Sequence, residues 1–288
     1  MSAVPAFFGE YQSMVAAELH RLVPPDAEAA VERSMAYTAL APSKQVRAVL
    51  VLLCAELCRG RSAHAVPAAA AIELVHASSL ILDDLPSMDD APLRRGRKAN
   101  HLEFGEAVAI LAAFGLLNLA YATYARSYDP PLATRLTALT ADAVGPAGLI
   151  GGQALDLLAT DHDITFEALE RIHRGKTGAL FVAAAACGAL IAGASPESIS
   201  ALTAYAKNLG LAFQIIDDLL DVEGTPEETG KAVREDARKT TFVSFSGVAG
   251  ARQLAGELCE TADRALAPFG AKADRLRELS AFVAARRL

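Results

Sequence analysis

The chain has 288 residues, with 34 acidic side chains against 27 basic ones and a net charge of −7. At 52% hydrophobic and 21% charged it is too apolar for a disordered chain, and four scattered cysteines in apolar runs describe neither a disulfide scaffold nor a metal site. The acidic balance argues against broad nucleic-acid binding, which needs a basic surface.

Apolar residues recur at helical spacing almost throughout, and no alternating β-branched run survives inspection. The spacing predicts helices over residues 5–22, 28–39, 43–58, 67–85 and 107–127. Further helices are expected over 131–156, 166–193, 196–222, 249–266 and 271–287. Pro24-Pro25, Gly60 and Pro86 end the first, third and fourth of these, and residues 161–165 and 223–230 read as polar, turn-rich connections. No linker separates domains, so residues 1–288 are expected to form one all-α domain. Residues 1–8 lack the basic start and apolar core of a secretion signal, which leads to the expectation of a cytoplasmic protein. Residues 178–195 (GALFVAAAACGALIAGAS) carry no charge over 18 positions, the lower limit for a membrane span. Their Ala and Gly content and the missing aromatic belt favour a buried central helix rather than an integral membrane span. Residues 107–122 read the same way.

Two apolar helical runs each end in aspartates: SSLILDDLPSMDD (78–90) and AFQIIDDLLD (212–221). The first places Asp83, Asp84, Asp89 and Asp90 within eight residues, and the second supplies Asp217, Asp218 and Asp221. Asp217 and Asp221 share a helix face, and Pro86 should break the first helix so that Asp89 folds back towards Asp83. Like charges about 4 Å apart repel by roughly 4 kcal/mol at an effective dielectric near 20, so such clusters make sense around cations. An all-oxygen donor set without His or Cys selects Mg²⁺, which takes one or two carboxylates plus waters and substrate phosphates. Basic residues flank both clusters: Arg94, Arg95, Arg97 and Lys98 after the first, Lys231 and Lys239 after the second. Lys44 and Arg47 are expected to open an apolar helix, His76 lies two turns before Asp83, and Lys176-Thr177 should open the uncharged helix with free backbone N–H groups. Together they describe a site for two diphosphates, with no glycine-rich nucleotide loop in sight.

At these residues the sequence resembles a known family, the trans-isoprenyl (polyprenyl) diphosphate synthases of the bacterial geranylgeranyl/farnesyl type. DDLPSMDDAPLRRG, with IELVHASSLILDD before it, looks like the family's first aspartate-rich motif. GGQALDL (151–157), HRGKTGAL (173–180) and FQIIDDLLDVEGTPEETGK (213–231) resemble later motifs in the same order, so the match covers nearly the whole chain. The resemblance implies an all-α isoprenoid-synthase fold around a deep central apolar cavity, assembled as a homodimer. It implies elongation of an allylic diphosphate (dimethylallyl, geranyl or farnesyl) by isopentenyl diphosphate. Residue by residue, it implies Asp83 and Asp89 as ligands of two Mg²⁺ ions with Asp84 in support, and Asp217, beside Asp218 and Asp221, for a third. Arg94, Lys176, Gln214, Lys231 and Lys239 would bind the allylic diphosphate; Lys44, Arg47, His76 and Arg95 would bind isopentenyl diphosphate. Thr177 and Gln214 would stabilise the allylic cation.

The sequence departs from the family at Pro42-Ser43-Lys44-Gln45, where Gly-Gly-Lys-Arg is usual, and at Lys98-Ala99, Ala113-Phe114 and Arg234-Glu235. A class I terpene cyclase would usually replace the second aspartate cluster, and a non-catalytic partner subunit would usually lose one of the two; both clusters stand here. Product length should be set on the helix carrying Asp83. In family members that stop at fifteen carbons a bulky aromatic commonly takes the place of Ser78, so Ser78 and Ser79 favour the twenty-carbon geranylgeranyl product. Phe114, narrowing the tunnel from the next helix, would instead hold it at farnesyl.

Overall fold

The computed structural model describes residues 5–160, 162–223 and 240–286, so Lys231, Lys239 and the Arg234-Glu235 departure lie outside the described residues. In chain order the helices are α1 (Ala6–Leu22), α2 (Ala30–Ala39), α3 (Val46–Leu57), α4 (Ser62–Asp83), α5 (Asn100–Phe104), α6 (Glu106–Ser127) and α7 (Pro130–Val144). After them come α8 (Leu149–Ala159), α9 (Phe166–His173), α10 (Ala179–Ile191), α11 (Pro196–Glu223), α12 (Phe242–Ala265) and α13 (Asp274–Ala284). Helices α3, α4 and α10 form the centre, with α6, α7 and α11 packed around them.

Small side chains set the spacing of that centre. Helix α4 buries Ala65, Ala68, Ala69, Ala70 and Ala71, and α10 buries Ala183, Ala184, Ala185 and Ala186. Gly188 brings α10 against the backbone of α3: a Cβ there would lie 2.2 Å from the Val51 carbonyl oxygen. A second apolar cluster, including Leu169, Ile215, Leu219 and Phe242, joins α9, α11 and α12 beneath the second aspartate run. By length and composition alone, Ser62–Asp83, Glu106–Ser127 and Phe166–Ile191 are long and apolar enough to cross a membrane. The windows in the first and third are 72% and 67% buried inside this chain, as a central helix requires, whereas that of α6 is only 39% buried.

The sequence-based expectations need correction at several places. Pro67 does not open α4 but lies inside it. Its missing N–H and the crowding of its ring disturb the ladder, and Tyr128 repairs the gap. The Tyr128 hydroxyl accepts from the Ala68 N–H (3.1 Å) and donates to the His64 carbonyl (2.9 Å), taking the place of a direct helical bond. The helix expected over 131–156 is two helices, because Gly145, extended before Pro146, cannot continue α7. Lys44 precedes α3 rather than opening it, and Gln45 takes a left-handed φ of 48° at the junction. Residues 93–98 form a two-stranded ribbon in which Leu93 pairs with Lys98 and Arg94 with Arg97. Its turn, Arg95-Gly96, has both φ positive (54° and 71°), the hairpin geometry that matches strand twist. Helix α12 starts seven residues before the expected 249, capped by a reciprocal Thr241–Ser244 box.

Candidate active site

Helix α4 ends at Asp83, and Pro86 turns the chain as the sequence predicts: the Asp89 N–H donates to the Asp83 carbonyl at 2.9 Å. Asp83 and Asp89 thereby share one corner. The Asp83 carboxyl is pushed up to about 6 by burial; Lys176 and Arg94 oppose the rise, and Asp89 and Asp84 add to it. Asp84 turns inward, 1% exposed, and is clasped by Arg94, whose Nε donates to Oδ1 and Oδ2 at 2.9 and 3.1 Å and whose Nη2 also reaches Oδ1. A metal ion in front of Asp84 would have to displace that guanidinium, so Asp84 is the partner that orients Arg94 rather than an open ligand.

Lys176 and Thr177 do not open a helix. The chain is helical from Phe166 to Ile191, passing through a π turn at Arg174–Gly178, so no free N–H end exists there. The extra residue of such a turn re-aims side chains, which is why π turns recur at functional sites. Backbone contact fixes its position. A Cβ on Gly152 would lie 2.1 Å from the Lys176 nitrogen, and one on Gly175 would lie 2.8 Å from the Gly148 carbonyl oxygen. The two motifs GGQALDL and HRGKTGAL therefore meet backbone to backbone. Their contact sets Lys176 against Asp156 (2.7 Å) with Asp89 at 4.0 Å. Asp156 carries no role in the sequence reading; its position one turn after Gly152, in a motif already singled out, was the available signal.

Thr177 faces the second cluster. Its hydroxyl donates to Gln214 Oε1 (2.8 Å), Gln214 Nε2 donates to Asp218 Oδ1 (2.9 Å), and Asp218 Oδ2 accepts the Phe242 N–H (3.0 Å). This chain locks the Gln214 amide in one orientation and turns the Thr177 lone pairs away from it. Asp218 is 3% exposed with a protein donor on each oxygen, so it anchors this chain. Asp217 and Asp221 lie on one face of α11, as their spacing predicts. Asp217 is held at 2.8 Å by Arg286, just past α13, a residue absent from the sequence reading.

Lys44, Arg47 and Arg286 gather near Asp217. Arg47, buried in the first turn of α3, lies over the rings of Phe181 (4.6 Å) and Phe213 (5.8 Å), and Arg286 lies over Phe213 at 4.3 Å. Partial burial and Arg286 hold the Lys44 ammonium below its usual range, with Asp217 opposing. The Pro42-Ser43 departure is tied down by α1: Gln12 Nε2 donates to the carbonyls of Ser43 and Lys44. Arg95 reaches back towards the Ala41 carbonyl at 3.4 Å. His76 is half-buried on α4, two turns before Asp83. Glu73, absent from the sequence reading, is buried one turn before His76 and accepts the Ala48 N–H at 3.2 Å.

Of the residues expected to set chain length, Ser78 is 4% exposed and donates to the Ala113 carbonyl on α6 at 2.8 Å, and Ser79 is half-buried. Phe114 is 63% exposed on the outer side of α6, so it does not narrow a passage beside α4; Ala113 holds that place.

No three of the described His, Cys, Asp and Glu side chains are grouped to hold a metal ion by themselves. The donor set nevertheless fits Mg²⁺: it is all oxygen, and that ion takes few carboxylates and completes its shell with water and substrate phosphate. Half-buried Asp83 and exposed Asp89 offer such carboxylates on the first aspartate run, and Asp217 and Asp221 on the second.

Two acidic helix ends bordered by arginine and lysine lie on an alanine-rich set of packed helices. Residues 28–260 match the polyprenyl synthetase family profile. The chain is 39% identical to a geranylgeranyl diphosphate synthase of Cyanophora paradoxa, over 96% of this chain and 94% of that protein. It is 38% identical to a farnesyl diphosphate synthase of Geobacillus stearothermophilus, over 99% of this chain and 98% of that one. The solved structure of an FPP/GFPP synthase from Zymomonas mobilis superposes with a TM-score of 0.86 at 31% identity, covering 97% of this chain and 98% of that one. The chain belongs to the polyprenyl synthetase family, and it is a trans-prenyltransferase.

The Gly152 contact generates a prediction. Gly152→Val should force α8 away from the π turn, at a cost of about 1–3 kcal/mol, and separate Asp156 from Lys176. Thermal unfolding should show the lower midpoint, and turnover should fall further than the loss of folded protein explains. Unchanged activity in the folded fraction would refute the role given to this contact.

Proposed function

We propose that this enzyme joins isopentenyl diphosphate to an allylic diphosphate and releases mainly geranylgeranyl diphosphate. The observation that carries this reading is the pairing of Lys176 with the first aspartate corner and of its neighbour Thr177 with Gln214, three residues before Asp217. Magnesium held by Asp83, Asp89 and Asp217, with Asp221 beside them, would neutralise the departing diphosphate; three ions are proposed. Arg94, oriented by Asp84, and Lys176 bind the allylic diphosphate, and Lys231 and Lys239 are proposed to join them. As the allylic carbon–oxygen bond ionises, the outward lone pairs of Thr177 and the fixed dipole of the Gln214 amide stabilise the cation. Lys44, Arg47, His76 and Arg95 hold isopentenyl diphosphate so that its double bond attacks that carbon. The proton then lost passes to the released diphosphate.

Asp83→Ala should lower kcat by orders of magnitude with the fold intact, because the lost interaction acts mainly on the ionising state. Turnover close to wild type in that variant, or in excess EDTA, would overturn the assignment.

Assembly as a homodimer is supported by an apolar surface this chain leaves open. Leu111 and Phe114 on α6 are 55% and 63% exposed, and Ile150, Leu155 and Leu158 on α8 are 54%, 41% and 75% exposed. A second copy covering α6 would also shelter its apolar outer stripe. Light scattering at micromolar concentration should give twice the monomer mass; a fully active monomer would contradict the reading.

Product length rests on Ser78 and Ser79. At 1.5 Å per residue they lie roughly 6–8 Å along α4 from Asp83, where a growing tail would run. Their side chains are small, and an aromatic ring there would reach further from α4 than serine does. Ser78→Tyr should shift the product from twenty towards fifteen carbons, read by chromatography of the dephosphorylated alcohols. An unchanged distribution would remove this wall as the ruler.

A further inference from the structure

Helix α3 begins without a cap of its own. Its N-cap residue, Gln45, sits at φ 48° and offers no side-chain acceptor to the first turn. The four leading N–H groups of a helix need partners, and their end of the dipole favours a negative charge. Here the acceptor comes from another helix: Glu73 of α4 takes the Ala48 N–H at 3.2 Å. Arg47 lies next to Ala48 in that same turn, 9% exposed, its guanidinium on Phe181 and its Nε without a hydrogen-bond acceptor among the described residues. Burial opposes the charge on Arg47 and on Arg95, and Glu73 is the leading opposite charge that supports each of them. One carboxylate thus caps the helix turn that carries Arg47 and supplies the main opposing charge for two buried arginines. A lone acid at 7% exposure in an alanine-rich interior is costly unless paired, so its placement calls for a reason.

We infer that Glu73 is a positioning residue for the isopentenyl diphosphate subsite: its buried carboxylate caps α3 from outside and holds Arg47 for the second diphosphate. The inference rests on the assignment of Arg47 proposed above. It also gives α4 a double duty. Glu73 fixes the cation of one substrate and Asp83, ten residues on, serves the other, so a single rigid helix sets the distance between the two diphosphates.

Glu73→Gln keeps an oxygen for the Ala48 N–H and removes the charge. It should raise KM for isopentenyl diphosphate at least about tenfold while KM for the allylic substrate changes less than about twofold. Equal rises in both constants, or none in a folded protein, would overturn the proposal. Arg47→Gln separates it from the reading beneath it. If Arg47→Gln leaves the isopentenyl KM unchanged, the assignment of Arg47 fails and the proposal falls with it. If Arg47→Gln raises that constant and Glu73→Gln does not, the assignment stands and the proposal alone falls. A thermal cycle needs no activity at all: Glu73→Gln should lower Tm by leaving a buried cation uncompensated, and the double variant Arg47→Gln/Glu73→Gln should recover at least half of the loss. Strictly additive shifts would refute the coupling.

Discussion

Carboxylates carried on the ends of apolar helices repel one another, and the arrangement of this protein follows from how that repulsion is met. Four of the acidic groups are answered by cations from other parts of the chain. Asp84 is clasped by Arg94 of the ribbon, Asp156 and Asp89 share Lys176 of the π turn, and Asp217 meets Arg286 beyond α13. At an effective dielectric near 20 two charges at contact distance interact by roughly 4 kcal/mol, so these pairs decide which loops lie over the helix ends. The same pairs offset part of the repulsion at the acidic ends before any substrate diphosphate arrives. Ligand binding is then an exchange of partners within an assembled site.

The π turn divides the labour. Lys176 and Thr177 are adjacent in sequence, yet one faces the first aspartate corner and the other reaches Gln214 below the second. Regular α geometry separates neighbouring side chains by about 100°, and a wider turn adjusts that separation to two targets at once. The glycine pair at 152 and 175 keeps the turn from relaxing, because α8 lies against its backbone.

Much of this was legible in the sequence. Helical periodicity located nearly every helix, since the interior alternates small and apolar residues at helical spacing. The aspartate runs announced themselves by charge among leucine and isoleucine, and Pro86 returned Asp89 to Asp83 as its chemistry requires. The failures share a cause: they depend on contacts between distant segments. Pro67 reads as a helix start because nothing nearby reveals that Tyr128 will bridge its broken ladder. Lys176-Thr177 reads as a helix opening because a π turn is imposed by α8. Glu73, Asp156 and Arg286 carry no signal of their own until packing gives each a distant partner. Phe114 erred by one position, since Ala113 faces α4 and its neighbour turns outward.

The Tyr128 bridge bears on the order in which the molecule comes together. Ahead of Pro67, α4 lacks part of its own ladder, and the missing link is a phenol from the residue that follows α6. The first turn of α4 is therefore not a locally stable helix but a junction, complete only when the far end of α6 has docked. The amide of Ala68 is tied to a side chain sixty residues away. Its exchange with solvent reports the docking of α6 rather than the coiling of α4, so one backbone proton distinguishes an assembled barrel from a collection of formed helices.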